Sequence, residues 1–159
     1  MNKLNLDFIE RNLEKYNIKS TSVLDVGSLD VNGGPRHLFK CDYLGIDPID
    51  GPNVDSTIPI KMMPLDKKFD TVLCLNMLEH SPTFIVDLLY IHELVEKDGY
   101  FFLSVPGIGF SEHHQPDYWR FTKRAVREII MGGFEILEYE EVPTKPDKNY
   151  VVNCLGRKL

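Results

Sequence analysis

The sequence predicts an open, mostly parallel α/β sheet with one reversed strand near its end, and three observations carry that expectation. Short apolar runs alternate with helix-period segments along most of the 159 residues, the pattern of strand–crossover–strand units. One run, FDTVLCLN (69–76), is almost continuously apolar, as a parallel strand covered on both faces should be. Two strand-like runs at the end, FEILEYEEV and NYVVNCLGRKL, have no helix between them. They read as an antiparallel pair joined through PTKPDK.

Each element has its own signal. Leu6, Ile9 and Leu13 fall at spacings of three and four in LNLDFIERNLEKYN, which predicts an amphipathic helix over about residues 5–17. SVLDV is a short buried strand, and GPRHLFK allows one or two helical turns with Pro35 at their start. DYLGID is a second strand, NVD (53–55) a short third and FDTVLCLN the fourth. FIVDLLYIHELVEK is a helix with Ser81 or Thr83 as cap, Pro82 early and Asp98-Gly99 as its stop. YFFLSVP is a fifth strand, leading into the loop GIGFSEHHQPD. TKRAVREIIMGG is a helix that offers Ala125, Val126, Ile129 and Ile130 to the core and leaves by its glycines. The crossovers are expected to be right-handed.

Composition narrows the function classes. A chain of this length is read as one domain spanning 1–159, with an N-terminal helix within 1–18. A net charge of −6 gives no broad attraction to nucleic acid or anionic membrane. Lys123, Arg124 and Arg127 share one helix, but an amphipathic surface helix accounts for them. No apolar run is long enough to span a bilayer, and MNKLNLDFIERN is not a signal peptide. The three cysteines, Cys41, Cys74 and Cys154, share no metal-ligand spacing and are read as reduced thiols of a cytoplasmic protein.

In such sheets, ligands sit outside the carboxyl ends of the strands, where the strand order reverses. The first strand ends at Asp25-Val26-Gly27, and Gly27 permits a backbone conformation that a side chain would oppose. Asp47 ends the second strand twenty residues after Gly27, the place of a carboxylate that accepts from ribose hydroxyls. Leu29 and Val31 replace the second and third glycines of a dinucleotide fingerprint. A pyrophosphate needs free backbone N–H groups and no adjacent anion, whereas Asp25 immediately precedes this turn. S-adenosylmethionine carries a ribose, an ammonium and a sulfonium, and no phosphate. The alternative is a structural turn in which Asp25 caps the next helix and Asp47 is an ordinary turn acid.

Five blocks in register, VLDVGSLDVNGGPR, YLGIDPIDGPNVD, FDTVLCLNMLEH, DGYFFLSVPG and HHQPDYWRFT followed by GGFEI, resemble the class I, Rossmann-like S-adenosylmethionine-dependent methyltransferases. More narrowly they resemble the methyltransferase type 11-like group with DVGS-x-D-x-NG and DYWRFT. The resemblance implies a seven-stranded sheet of order 3-2-1-4-5-7-6, strand 7 antiparallel, with helices on both faces. It implies that Asp25, Gly27 and Ser28 lie along the methionine portion of S-adenosylmethionine and that Asp47 holds its ribose. Pro48 would then lie beside the adenine, Asp55 near the adenine edge, and Asn76 on the methionine and sulfonium side.

Methyl transfer is a displacement at a carbon already activated by the sulfonium, so alignment, water exclusion and proton removal are what a protein adds. Candidate catalytic residues are His80, His113 and Asp117, a histidine being a suitable base for a hydroxyl, amine or carboxyl acceptor. His114, Tyr118, Trp119 and Arg120 are candidates for substrate binding in an active-site loop at 106–121. The competing reading has Glu79 and His80 bracing the following helix, Asp117 paired with Arg120, and Tyr118 and Trp119 packed as a lid. No metal is expected. The leading reading is methyl transfer to an O or N atom of a small or glycan-like acceptor, with a partner chain able to complete the pocket. The alternatives are a non-catalytic cofactor-binding module and a nucleotide-dependent oxidoreductase.

Overall fold

The computed structural model describes residues 3–31, 33–112, 114, 116–143 and 150–159. Its strands are β1 Ser22–Val26, β2 Asp42–Ile46, β3 Phe69–Leu75, β4 Val95–Pro106, β5 Phe134–Pro143 and β6 Tyr150–Lys158, in the sheet order β2-β1-β3-β4-β6-β5. β1 to β4 are parallel neighbours, and β6 alone is reversed, antiparallel to both β4 and β5. The terminal hairpin is therefore as expected.

Successive strand side chains face opposite sides of the sheet, and the core divides accordingly. Leu24, Val26, Val72, Cys74, Phe101 and Leu103 pack under α2 (Phe84–Leu94) and a π-helix at Ala125–Ile130. Val23, Leu73, Leu75 and Phe102 pack with Phe8 and Ile9 of α1 (Lys3–Lys15). Helices thus cover both faces, which is why β3 tolerates an uninterrupted apolar run.

Three expectations are corrected. The sheet has six strands among the described residues rather than seven, because NVD forms no strand and only the following Ser56 bridges to Ile46. The Asp55 carboxylate accepts the Gly45 N–H at 2.7 Å, so that donor is not free for a further ladder, and Pro48, Pro52 and Pro59 surround the segment. α2 ends at Leu94 instead of running to Lys97. Val95 adopts extended backbone and pairs with Phe69, and Asp98 turns the chain at φ +62°. The π-helix closes with Met131 N–H on the Val126 carbonyl, five residues back, so its buried positions are Val126, Ile130 and Met131, and Ile129 is exposed rather than in the core.

Phe101 is fully buried, 5.4 Å from the Phe134 ring centroid. Phe101→Ala is expected to lower unfolding free energy by about 3–5 kcal/mol, read from urea denaturation.

Candidate active site

The chain passes from β1 outward to β2, then returns across β1 to β3, so the strand order reverses at β1. A cleft of about 950 Å³ opens there, at the carboxyl ends of β1, β2 and β3. Gly27 forms its floor at φ +82°. A Cβ at this position would lie 2.7 Å from Met77 Cβ, so the turn after β1 and the turn after β3 meet only because residue 27 has no side chain. Backbone N–H groups of Gly27 and Ser28 both donate to the Ile46 carbonyl, at 2.9 and 3.1 Å.

Asp25 borders the cleft yet is only 1% exposed. Its Oδ2 accepts from Tyr43 Oη at 2.7 Å and Asn53 Nδ2 at 3.4 Å. Burial raises its pKa to about 6, against the lowering influence of the Tyr43 hydroxyl, Arg36 and Asn53. Ser28 also lines the cleft, while its Oγ is buried against Gly45 of β2 without a hydrogen-bond partner among the described residues. Asp47 lines the far end, its two oxygens accepting the Ile49 N–H at 2.9 Å and the Leu29 N–H at 3.3 Å, with Pro48 beside it. Asp55 is placed differently. It is held by the Gly45 N–H and by Arg36 and is not among the residues lining the cleft. The turn is stabilised by Asp30, whose carboxylate accepts the N–H groups of Gly33 and Gly34 ahead of the short helix Pro35–Leu38; Asp25 does not cap it.

The opposite end of the cleft is built by the turn after β3 and by the loop after β4. Asn76, at φ +53°, receives the Ser104 hydroxyl on Oδ1 at 3.1 Å and lines the cleft. His80 Nδ1 donates to the Pro116 carbonyl at 2.6 Å, because a carbonyl can only accept. Tyr118 N–H donates to the Glu79 carbonyl and Trp119 Nε1 to the Ser81 carbonyl, each at 2.8 Å. Residues 79, 80 and 81 are thus each tied to the loop by one bond. The Trp119 ring lies edge-on to Phe84 at 5.1 Å.

Arg120 uses all five of its N–H donors inside the protein: on Phe110, Ser111 and Trp119 carbonyls and bidentately on Asp117. It clamps the loop and has no donor left for a substrate. His80, His114, Asp117 and Arg120 line the cleft, whereas Tyr118 and Trp119 lie outside its lining. His113 falls outside the described residues. Among those described, no group of three or more His, Cys, Asp and Glu side chains could hold a metal ion.

Four participants were not singled out from the sequence. Tyr43 and Asn53 secure Asp25, while Lys61 and Asp87 line the cleft as an ion pair at 3.3 Å. Only Asn53 carried a local signal, since asparagine tolerates the left-handed backbone of turns and Asn53 adopts φ +73°. The other contacts join segments far apart in the chain.

Glu79 lines the same half of the cleft and is 5% exposed. Burial pushes its pKa up to about 8. The nearby Asp117 raises it, while Arg120 and the residue's own backbone N–H oppose the rise. The native state therefore binds more protons here than the unfolded chain between the ordinary 4.5 and about 8, so stability falls as pH rises through that window. In Glu79→Gln this fall is expected to be smaller, as measured by urea midpoints at about pH 5 and about pH 8.

No curated protein matches the sequence. Solved structures are similar in fold. The 1,6-didemethyltoxoflavin-N1-methyltransferase of Burkholderia thailandensis, solved with bound 1,6-didemethyltoxoflavin and S-adenosylhomocysteine, superposes with a TM-score of 0.79 at 20% identity over 97% of this chain and 78% of that one. Magnesium protoporphyrin IX methyltransferase from Synechocystis PCC 6803, solved with S-adenosylmethionine, gives 0.70 at 18% identity, over 98% and 79%. The N-methyltransferase NodS of Bradyrhizobium japonicum WM9, bound to S-adenosylhomocysteine, gives 0.72 at 10% identity, over 95% and 84%. In sequence, the profile of the methyltransferase domain family matches residues 1–130, most of the length and all of β1 to β4. The chain belongs to the methyltransferase domain family.

Proposed function

We propose that the chain is an S-adenosylmethionine-dependent methyltransferase acting on an O or N atom of a small acceptor. The observation that carries this reading is one continuous cleft with Asp47 at one end and Glu79 and His80 at the other. The β1 turn supports the choice of cofactor. It places the Asp25 carboxyl and the Gly27–Ser28 backbone along the cleft, and both cations among the described lining residues are occupied, Lys61 with Asp87 and Arg120 with Asp117. Such a surface favours a nucleoside bearing positive charge over one bearing phosphates. Asp47 would hold the ribose and Pro48 flank the adenine. Gly27 and Ser28 would lie along the methionine portion, with Asn76 toward the reactive end. When bound, the cofactor supplies the electrophilic methyl group.

The protein's share of the reaction is alignment and proton removal. With Nδ1–H held by the Pro116 carbonyl, the neutral His80 ring carries its lone pair on Nε2, the form required of a general base. Asp117 supports the site as the partner of Arg120 rather than as a base. An acceptor would enter between the turn after β3 and the loop at 106–121, with His114 at the rim. The 1,6-didemethyltoxoflavin bound to one structural neighbour and the magnesium protoporphyrin IX for which another is named are small molecules, which supports a small acceptor here. No helix among the described residues is long and apolar enough to cross a membrane.

Asp47→Ala is expected to weaken S-adenosylhomocysteine binding by roughly 1.5–3 kcal/mol by calorimetry; unchanged affinity would place the ribose elsewhere, and tight binding of NAD alone would overturn the assignment. His80→Ala should reduce acceptor-dependent release of S-adenosylhomocysteine about 10²–10⁴-fold while leaving cofactor affinity nearly unchanged. Cofactor binding without turnover across an acceptor screen would favour a non-catalytic module.

A further inference from the structure

Among the described residues, the acceptor half of the cleft holds three carboxyl groups, and two are neutralised within the protein. Asp87 pairs with Lys61 at 3.3 Å and also accepts the Ser81 hydroxyl. Asp117 is gripped by Arg120. Glu79 is the third. Among the described residues, its buried Oε2 has no hydrogen-bond partner and no lysine or arginine is in ion-pair contact with it. The groups facing it are the His80 ring, with Nε2 3.9 Å from Oε1, the Asp117–Arg120 pair across the cleft wall, and the buried Cys74 thiol beneath. A buried carboxyl without a countercharge is costly as an anion. It sits where a cation would relieve that cost.

The strand order says which cation. Were the ribose held by Asp47 beyond β2 and the tail laid along the β1 turn, the methyl group would face the remaining part of the cleft. That part is the Asn76–His80 turn after β3, which touches the β1 turn where Met77 meets Gly27. We propose that Glu79 is the countercharge of the sulfonium: it becomes a carboxylate as the positively charged donor binds, and so distinguishes that donor from its uncharged thioether product.

This rests on the proposed cofactor and extends it to one residue. Glu79 carries a proton in the empty cleft at neutral pH, burial being the main cause, and releases it to solvent when a cation enters. In the transfer, the acceptor's heteroatom forms its bond to the methyl carbon, and the S–CH₃ electron pair stays on sulfur. The acceptor's proton goes to His80 Nε2. The positive charge lost from sulfur is replaced by one beside Glu79, so the carboxylate is never left uncompensated. The neutral product has no hold on the ionised form, which favours its exchange for fresh donor.

The test is calorimetry of S-adenosylmethionine and S-adenosylhomocysteine in buffers of different ionisation enthalpy, on wild type and Glu79→Gln. At about pH 7, wild type should release up to about one proton more than Glu79→Gln when S-adenosylmethionine binds, with no such difference for S-adenosylhomocysteine. The donor-to-product affinity ratio of wild type, relative to the variant, should climb by up to about tenfold per pH unit below about pH 8 and level off above it. Equal proton release in the two proteins, or a ratio that does not change with pH relative to the variant, overturns the role of Glu79 while leaving the cofactor assignment intact. Failure of both ligands to bind wild type overturns the cofactor assignment as well. Should Glu79→Gln fail to fold, wild type is titrated with 5′-dimethylsulfonio-5′-deoxyadenosine and 5′-methylthioadenosine, which carry no amine and differ by the charged methyl. A proton released by the first and not the second sustains the proposal, and equal release refutes it.

Discussion

The hydrogen bond from Tyr43 to Asp25 is the constraint around which the cleft is assembled. A carboxyl group at the end of β1 with almost no exposure must be satisfied from within. Tyr43 supplies one donor from β2, and Asn53 a second from the connection beyond it. Asn53 also donates to the Ser28 carbonyl and accepts from Arg36 Nε at 2.6 Å, which ties the β1 turn, the following short helix and the β2 connection into one unit. The 53–55 segment packs so tightly against β2 that a Cβ on Gly45 would stand 2.2 Å from the Asn53 carbonyl oxygen. One buried acid thus sets the spacing between the strand ends that border the site.

The other half of the cleft depends on a different kind of order. A long loop over an active site would lose much conformational entropy on each closure. Here that cost is met in folding, because Arg120 is saturated and residues 79 to 81 each hold the loop by a hydrogen bond. Under the proposed function, the described part of that loop would help keep an acceptor aligned, and alignment is the larger part of what a methyl transfer needs from its protein. The same bonds orient His80. Loop order and the orientation of the His80 ring therefore have a single cause.

Charge is distributed along the cleft with a consistent sense. Every lysine and arginine among the described lining residues is matched by an acid, while Asp25, Asp47 and Glu79 have no lysine or arginine in ion-pair contact among the described residues. Burial makes the proton occupancy of Asp25 and Glu79 sensitive to what occupies the cleft, at about 6 and about 8 respectively. A cation entering such a site binds to groups that can answer it by ionising. An anion finds nothing equivalent.

Local pattern was enough to determine the alternation of elements, the buried character of β3 and the terminal hairpin, because strand and helix periods are written in neighbouring residues. The positions of Gly27 and Asp47 were legible for the same reason, as each lies at a strand end marked by its own apolar run. Tertiary structure alone decided the rest. NVD was kept from becoming a strand by Asp55 taking the Gly45 donor. Ile129 was turned outward by a π-type register. Arg120, whose residue type suggests substrate contact, was consumed by five internal acceptors, three of them carbonyls that carry no sequence signature. The partners of Asp25 and the isolation of Glu79 depend on segments brought together only by folding, since a hydrogen bond or an absent countercharge is a property of distance in space rather than of spacing along the chain.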